Sequence, residues 1–266
     1  MSRKPQTTRN KITGILTKGD TQYVFMDTPG MHTPKTKLGD RMIDATNSAL
    51  AGVDAVILIV EPIASVGDIE AALIEKIRKS DLPCILAINK TDRSNPVIIG
   101  DTIKAYAEKH TFDAVVPMAA IKNKGVDTLL SEVDKFVFES EWFFPDDAIT
   151  DQPERVIAAE IIREKILRTC DDEIPHGTAV VIEEFKEERR LVRIRAEIFC
   201  EKATHKGIII GKNGAQLKLI GSRAREDLEK FLGTKVFLDL WVKVKENWRN
   251  SDVLLANFGF NNTDGE

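Results

Sequence analysis

Three short stretches carry residue types and spacings that could do chemistry. In Asn89-Lys90-Thr91-Asp92, a carboxylate at Asp92 can accept from the N1–H and the exocyclic amine of guanine together. The Asn89 amide can reach O6 and N7, and the Lys90 stem can lie over the ring. Adenine lacks that donor pair and would leave the carboxylate unpaired, at a cost of ~1–3 kcal/mol. Taken alone, the same four residues also describe a polar turn closed by Asp92. Asp27-Thr28-Pro29-Gly30 places a carboxylate just before a glycine whose N–H can approach a phosphate, a pairing suited to sensing Mg²⁺ and a γ-phosphate. A plain Asp-Pro-Gly turn is the competing account. Gly211-Lys212-Asn213-Gly214, with Gly207 before it and Lys218 after it, sits between two helical patterns. Exposed amides at a helix start and a lysine favour phosphate, whereas a helix-helix turn needs the same glycines.

The elements that must hold these stretches are legible from hydrophobic patterning. Strands are expected over Ile12–Leu16, Tyr23–Met26, Ala55–Val60, Ile85–Ile88 and Ala114–Met118, with helices over 67–79, 97–109 and 126–137. In the first helix Ile69, Leu73 and Ile77 step by four as its apolar face. Strands alternating with helices give an α/β fold with a mostly parallel sheet and helices on both faces, and the polar motifs fall at carboxyl ends of strands, where such sheets bind ligands. Composition changes at Glu141-Trp142-Phe143-Phe144-Pro145, and Pro153 marks a helix start. The division expected is 1–140, a linker over 141–153, a second domain over 154–250 and a tail over 251–266. The second domain reads helix, strand (178–185), strand (191–200), helix, Gly-x-x-Gly, helix (215–232), strand (236–244), an α+β pattern. Phe237, Trp241 and Trp248 are candidate base-stacking aromatics, although strand alternation assigns Trp241 to the core and Trp248 lies past the strand.

Composition narrows the classes. Net charge is −4, yet residues 206–249 hold ten Lys/Arg against five Asp/Glu, so a basic region is set against an acidic remainder. Cys84, Cys170 and Cys200 lie in apolar contexts without metal-ligand spacing and read as reduced, buried thiols. No apolar run approaches the ~20 residues of a membrane span, and the amino terminus has no secretory h-region.

Asp27-x-x-Gly30, then Asn89-Lys90-x-Asp92, then Met118-Ala119-Ala120 resembles the translation-factor class of P-loop GTPases. Ala119 stands where that class usually has Ser, and backbone groups of Ala119 and Ala120 would meet the guanine. Gly211-Lys212-Asn213-Gly214 in its α+β setting resembles the GXXG loop of a type II KH domain, which clamps about four nucleotides of single-stranded RNA. Joined, the two halves resemble the Era family of bacterial GTPases. Further support lies in Ser2-Arg3-Lys4-Pro5-Gln6-Thr7-Thr8-Arg9 (first switch), Glu160–Lys165 and Leu240–Lys245. The resemblance implies GTP and GDP binding at Asp27, Thr28, Pro29, Gly30, Asn89, Lys90, Asp92, Ala119 and Ala120. It implies Mg²⁺ held through water by Asp27, with the hydroxyl of Thr7 or Thr8. It implies RNA binding at Gly207, Gly211, Lys212, Asn213, Gly214 and Lys218, directed at the 3′ end of 16S rRNA and the 30S subunit. A cytoplasmic monomer with peripheral contact at the cell membrane is the family expectation.

One departure is large. The family's Gly-x4-Gly-Lys-[Ser/Thr] loop is not among these residues, and Gly207–Asn213 is a decoy with wrong spacing in the wrong domain. The chain is read as a member whose amino terminus is truncated or whose start is misassigned, without the first strand, P-loop and first helix. The sheet is then expected to open between the Tyr23–Met26 and Ala55–Val60 strands. The alternative is an RNA-binding protein that holds no nucleotide. No catalytic residue is assigned: Met31 follows Gly30 where many GTPases place a water-orienting Gln, and His32 reads as a solvated loop residue.

Overall fold

The structure, a computed structural model, describes residue 9 and residues 11–30, 34–170, 174 and 177–260. Thr7, Thr8, Met31 and His32 lie outside the described residues. Ile12–Lys18 (β1) and Thr21–Asp27 (β2) form an antiparallel hairpin with Ile12 opposite Asp27. Its turn uses Gly19 at φ 60°, a left-handed conformation that costs glycine nothing. Val56–Val60 (β3), Cys84–Ile88 (β4) and Ala114–Pro117 (β5) make a separate parallel sheet in the order β3-β4-β5. β2 and β3 are not hydrogen-bonded to each other, which is the break expected from the sequence.

Every residue of β4 is buried because the strand is central and apolar throughout. Asp68–Ser80 (α2) and Pro96–Ala107 (α3) make the crossovers on either side of it. Asn95 caps α3 by accepting from the Ile98 N–H, with Pro96 at the first helical position. In α2 the face differs from the expected one: Ile74 and Ile77 are buried, while Ile69 is 40% exposed in the first turn. A stripe stepping strictly by four drifts around a 3.6-residue helix, and its first member falls off the sheet.

The second half packs Glu154–Thr169 (α5), Ala203–Ile210 (α6) and Ala215–Leu232 (α7) against one face of a three-stranded sheet. Thr178–Glu188 (β6) and Leu191–Cys200 (β7) run antiparallel, and Lys235–Val244 (β8) lies parallel to β7. A parallel neighbour cannot be reached by a hairpin, so α6 and α7 form the crossover. Ala158, Ile162 and Ile166 of α5 meet Ile194, Ala196 and Ile198 of β7 in the core. The connection between the halves is tied to the first hairpin. Ile15 N–H donates to Ile149 O at 2.9 Å, Thr150 Oγ1 to Thr13 O at 2.6 Å, and Gln22 bonds the Phe144 backbone in both directions.

A third apolar cluster joins the halves. Leu38 and Met42 of Lys37–Ala49 (α1), the helix after Gly30, pack with Ala179, Phe199, Trp248, Leu255 and Phe260. Asp252–Asn257 (α8) closes it, with Ser251 accepting from the Leu254 N–H. Trp248 is therefore core, fully buried, and its indole N–H donates to Gly177 O at 3.0 Å. Trp241 is the reverse: expected inside, it is 57% exposed on the sheet face away from the helices. Alternation along β8 separates two faces but does not say which one is covered. Arg9 is buried to 2% in this junction, donates to Thr178 O at 2.6 Å and lies 5.9 Å from the Trp248 ring centroid. Burial first, and the nearby Arg163 second, press its pKa down to about 9. The three cysteines form no disulfide and are buried, and burial pushes the Cys84 thiol up to about 12.

Candidate functional site

The first candidate site lies at the carboxyl ends of β3, β4 and β5. Asn89 continues β4, its N–H donating to Val60 O at 2.8 Å, and it is 5% exposed. Its Oδ1 accepts from Lys90 N at 2.8 Å and from Ala120 N at 3.0 Å. Two backbone donors fix which end of the amide is oxygen, so the NH₂ is left for acceptors such as O6 and N7 of a guanine. Lys90 takes φ 63°, a left-handed turn that sends the chain away from the strand, and its ammonium pairs with Glu61 at the end of β3. Asp92, in the 3₁₀ turn Thr91–Arg93, has a side chain 12% exposed and pairs with Lys122 at 3.2 Å. Thr91 bonds Met118 O through both its N–H (3.1 Å) and its hydroxyl (2.8 Å), and Met118 N–H donates to Ile88 O at 2.8 Å. Ala119 is buried and bridges Lys124 through its N–H at 2.9 Å. The β4 and β5 loops are thus laced into one cradle before any ligand arrives.

Sequence reasoning missed three residues here. Glu61 and Lys122 hold the charges of Lys90 and Asp92, and nothing in their spacing announces that role. Gly125 takes φ 76°, and a Cβ there would lie 2.8 Å from Pro117 O and 2.9 Å from Met118 Cβ. Its position three residues past the Ala120–Lys122 turn was the available signal.

Asp27 ends β2 with its side chain at the surface, and Thr28, Pro29 and Gly30 follow. Pro29 O accepts from Thr46 Oγ1 of α1 at 2.9 Å, which pins this turn to the helix that docks on the second half. A surface carboxylate at a strand end is a hard oxygen donor that fits a water-mediated Mg²⁺ contact. The structure does not bring Asp27 to Asn89 and Asp92 through any direct bond among the described residues.

The second candidate site is the α6–α7 turn. Gly211 (φ 72°), Asn213 (φ 52°) and Gly214 (φ 76°) all take positive φ, and a Cβ on Gly211 would come 2.6 Å from Gln216 Cβ. Gly207 lies in α6, where its carbonyl accepts from Gly211 N–H at 2.8 Å. Lys212 and Lys218 flank the turn, whose Gly211, Gly214 and Ala215 N–H groups donate within it. Beside the turn, a groove of about 500 Å³ runs between α7 and β8, lined by Gly214, Lys218, Ser222 and Arg225 on one side and Phe237 and Leu240 on the other. A groove with an apolar floor, a glycine turn at one end and cations along one wall suits an extended strand of nucleotides.

Comparison with known proteins bears on both sites. The family described as "50S ribosome-binding GTPase" matches residues 1–90, and the KH domain family matches residues 173–249. GTPase Era of Clostridioides difficile is 47% identical over 264 residues, covering 98% of this chain and 89% of that protein. GTPase Era of Ruminiclostridium cellulolyticum is 46% identical over 261 residues, covering 98% and 88%. Two solved structures superpose with a TM-score of 0.92 at 34% identity, each covering 98% of this chain and 89% of the other. They are a single-substitution variant of Aquifex aeolicus Era bound to GDP·AlF4⁻, and Era in complex with MgGDPNP and nucleotides 1506–1542 of 16S ribosomal RNA.

Proposed function

The chain belongs to the Era family of GTPases, and from that premise we propose that it is a GTP-dependent factor of small-subunit maturation that engages the 3′ end of 16S rRNA through its GXXG domain. The observation that carries the nucleotide half is the Asn89 amide, oxygen tied to two backbone amides and NH₂ presented, beside the shielded carboxylate of Asp92. In this reading Asn89 and Asp92 select guanine, Lys90 packs on the base, and backbone groups of Ala119 and Ala120 border it. Asp27 would hold Mg²⁺ through water, Thr28, Pro29 and Gly30 would lie along the phosphates, and Thr7 or Thr8 would add a hydroxyl. Mg²⁺ when bound would neutralise phosphate charge. Gly207, Gly211, Lys212, Asn213, Gly214 and Lys218 receive the RNA backbone.

The domain division follows the same reading: nucleotide domain to 140, linker to 153, RNA domain to 250, tail beyond. The protein acts as a monomer in the cytoplasm, with peripheral contact at the membrane's inner face. No helix among the described residues is long and apolar enough to cross a membrane.

A second reading, RNA binding without nucleotide, has one observation in its favour: these 266 residues contain no Gly-x4-Gly-Lys-[Ser/Thr]. Titration with fluorescent GTP separates the two. The expected result is binding by this chain at least ~10³-fold weaker than by the same chain preceded by a strand, a Gly-x4-Gly-Lys-Ser loop and a helix, with ATP bound by neither. If the extended chain fails to bind GTP, the nucleotide reading falls.

A further inference from the structure

The face of the β6-β7-β8 sheet opposite the helices is only partly covered. The α1–α8 junction takes Ala179 and Phe199, while Phe237 and Trp241 of β8 stand 52% and 57% exposed beyond it. Two large rings four residues apart on one strand project from the same face about 13 Å apart. Arg193 of β7, paired with Phe237 in the parallel register, brings its guanidinium to 5.2 Å from the Phe237 ring centroid and is held by Glu188 at 2.8 Å. The Trp241 indole N–H donates to Asp239 Oδ2 at 2.8 Å, and Arg195 sits 3.6 Å from the same carboxylate. The rings are thus oriented by their neighbours and still open to solvent. Exposed, oriented aromatics interleaved with arginine on an open sheet are what stacks unpaired bases.

One residue joins this face to the groove already described. Phe237 lines the α7–β8 groove and also belongs to the row that continues to Trp241. We propose that single-stranded RNA leaving the GXXG groove passes over the β8 edge at Phe237 and stacks a further base on Trp241, so the RNA site extends onto the open sheet face. This rests on the RNA-binding reading of the groove. The charges on this face are largely answered: Arg195 by Asp239 and Glu184, Arg193 by Glu188, Lys243 by Glu197. The extension therefore contributes through stacking, while the phosphate contacts stay in the groove.

The test uses the full chain and two single-stranded RNAs from the 3′ end of 16S rRNA, a five-nucleotide oligomer and a ten-nucleotide oligomer containing it, read by fluorescence anisotropy across a salt series. The wild-type chain is expected to bind the ten-mer more tightly. Trp241→Ala should lose about 5- to 150-fold in ten-mer affinity, the range for one stacked base. It should leave the five-mer and the salt slope unchanged, and Trp241→Phe should retain most of the affinity. The double substitution Lys212→Asp and Asn213→Asp should weaken both oligomers and flatten the salt slope. Equal affinity of the wild-type chain for the two lengths, or a Trp241→Ala chain that binds the ten-mer normally, overturns the extension and leaves the groove standing. Failure of the wild-type chain to bind either oligomer overturns both readings.

Discussion

At the scale of single residues, the side chains proposed to read guanine are anchored by backbone groups and by ion pairs to Glu61 and Lys122. Asn89 is oriented by two amides and Thr91 by one carbonyl; the Lys90 amide is local, whereas Ala120 N and Met118 O come from the loop after β5. Asn89, Lys90 and Asp92 were legible in the sequence because their types and spacing directly follow the apolar run Ile85–Ile88. Glu61 and Lys122 were not, because their pairing depends on which strand ends become neighbours across the sheet. Asp92 supplies an acceptor pair that matches guanine donors, and replacing one oxygen with an amide reverses that match. Asp92→Asn, in the chain extended by a phosphate loop, should weaken GTP at least ~100-fold and favour the xanthine nucleotide, whose 2-oxo group accepts. Competition between GTP and XTP for a fluorescent nucleotide checks it, and unchanged GTP preference would remove Asp92 from the base site.

At the scale of elements, the strands and helices were legible because each apolar run is bounded by its own punctuation. Asn95-Pro96 starts α3, Gly233 ends α7 in a left-handed residue, and the α7 bounds coincide with those expected. Coverage of faces was not legible. Trp241, expected in the core, is exposed, and Trp248, left unassigned, is buried, because alternation cannot reveal that α1 and α8 blanket only one end of the second sheet. The β5–α4 connection, leading into Val126–Val133 (α4), shows how an element boundary can depend on one residue. Gly125→Ala would force a Cβ against Pro117 O and a side chain into positive φ. A destabilisation of about 1–3 kcal/mol is expected in urea unfolding. Nucleotide affinity should fall with it, because the same turn sets Ala119 and Ala120. A fully stable variant would show that the loop has room the geometry denies it.

At the scale of the whole molecule, the two halves are welded rather than tethered. Lys37 and Arg41 of α1 both pair with Asp252 of α8, and Lys37 N–H donates to Asn250 Oδ1 at 3.3 Å. The hydrogen bond from Lys37, then that from Arg41, holds the Asp252 carboxyl below its ordinary value. A carboxylate whose pKa is depressed in the folded state stabilises above its unfolded value, near about 4, and that contribution is lost as pH falls through the folded value. Melting measured from about pH 6 down to about pH 3 should therefore fall more steeply for the wild-type chain than for Asp252→Asn. Parallel slopes would mean the pair is not linked to folding.

The same weld has a consequence in time. Arg9 reaches Thr178 and Trp248 across nearly the full length of the chain, and α1 waits for Trp248, Leu255 and Phe260. Contacts of such sequence separation form late and slow folding. On the ribosome, where the chain emerges amino end first, Arg9 and α1 stay unseated until Trp248, Leu255 and Phe260 have emerged. Seating of α1 and Arg9 is thereby coupled to the folding of the second half rather than completed ahead of it.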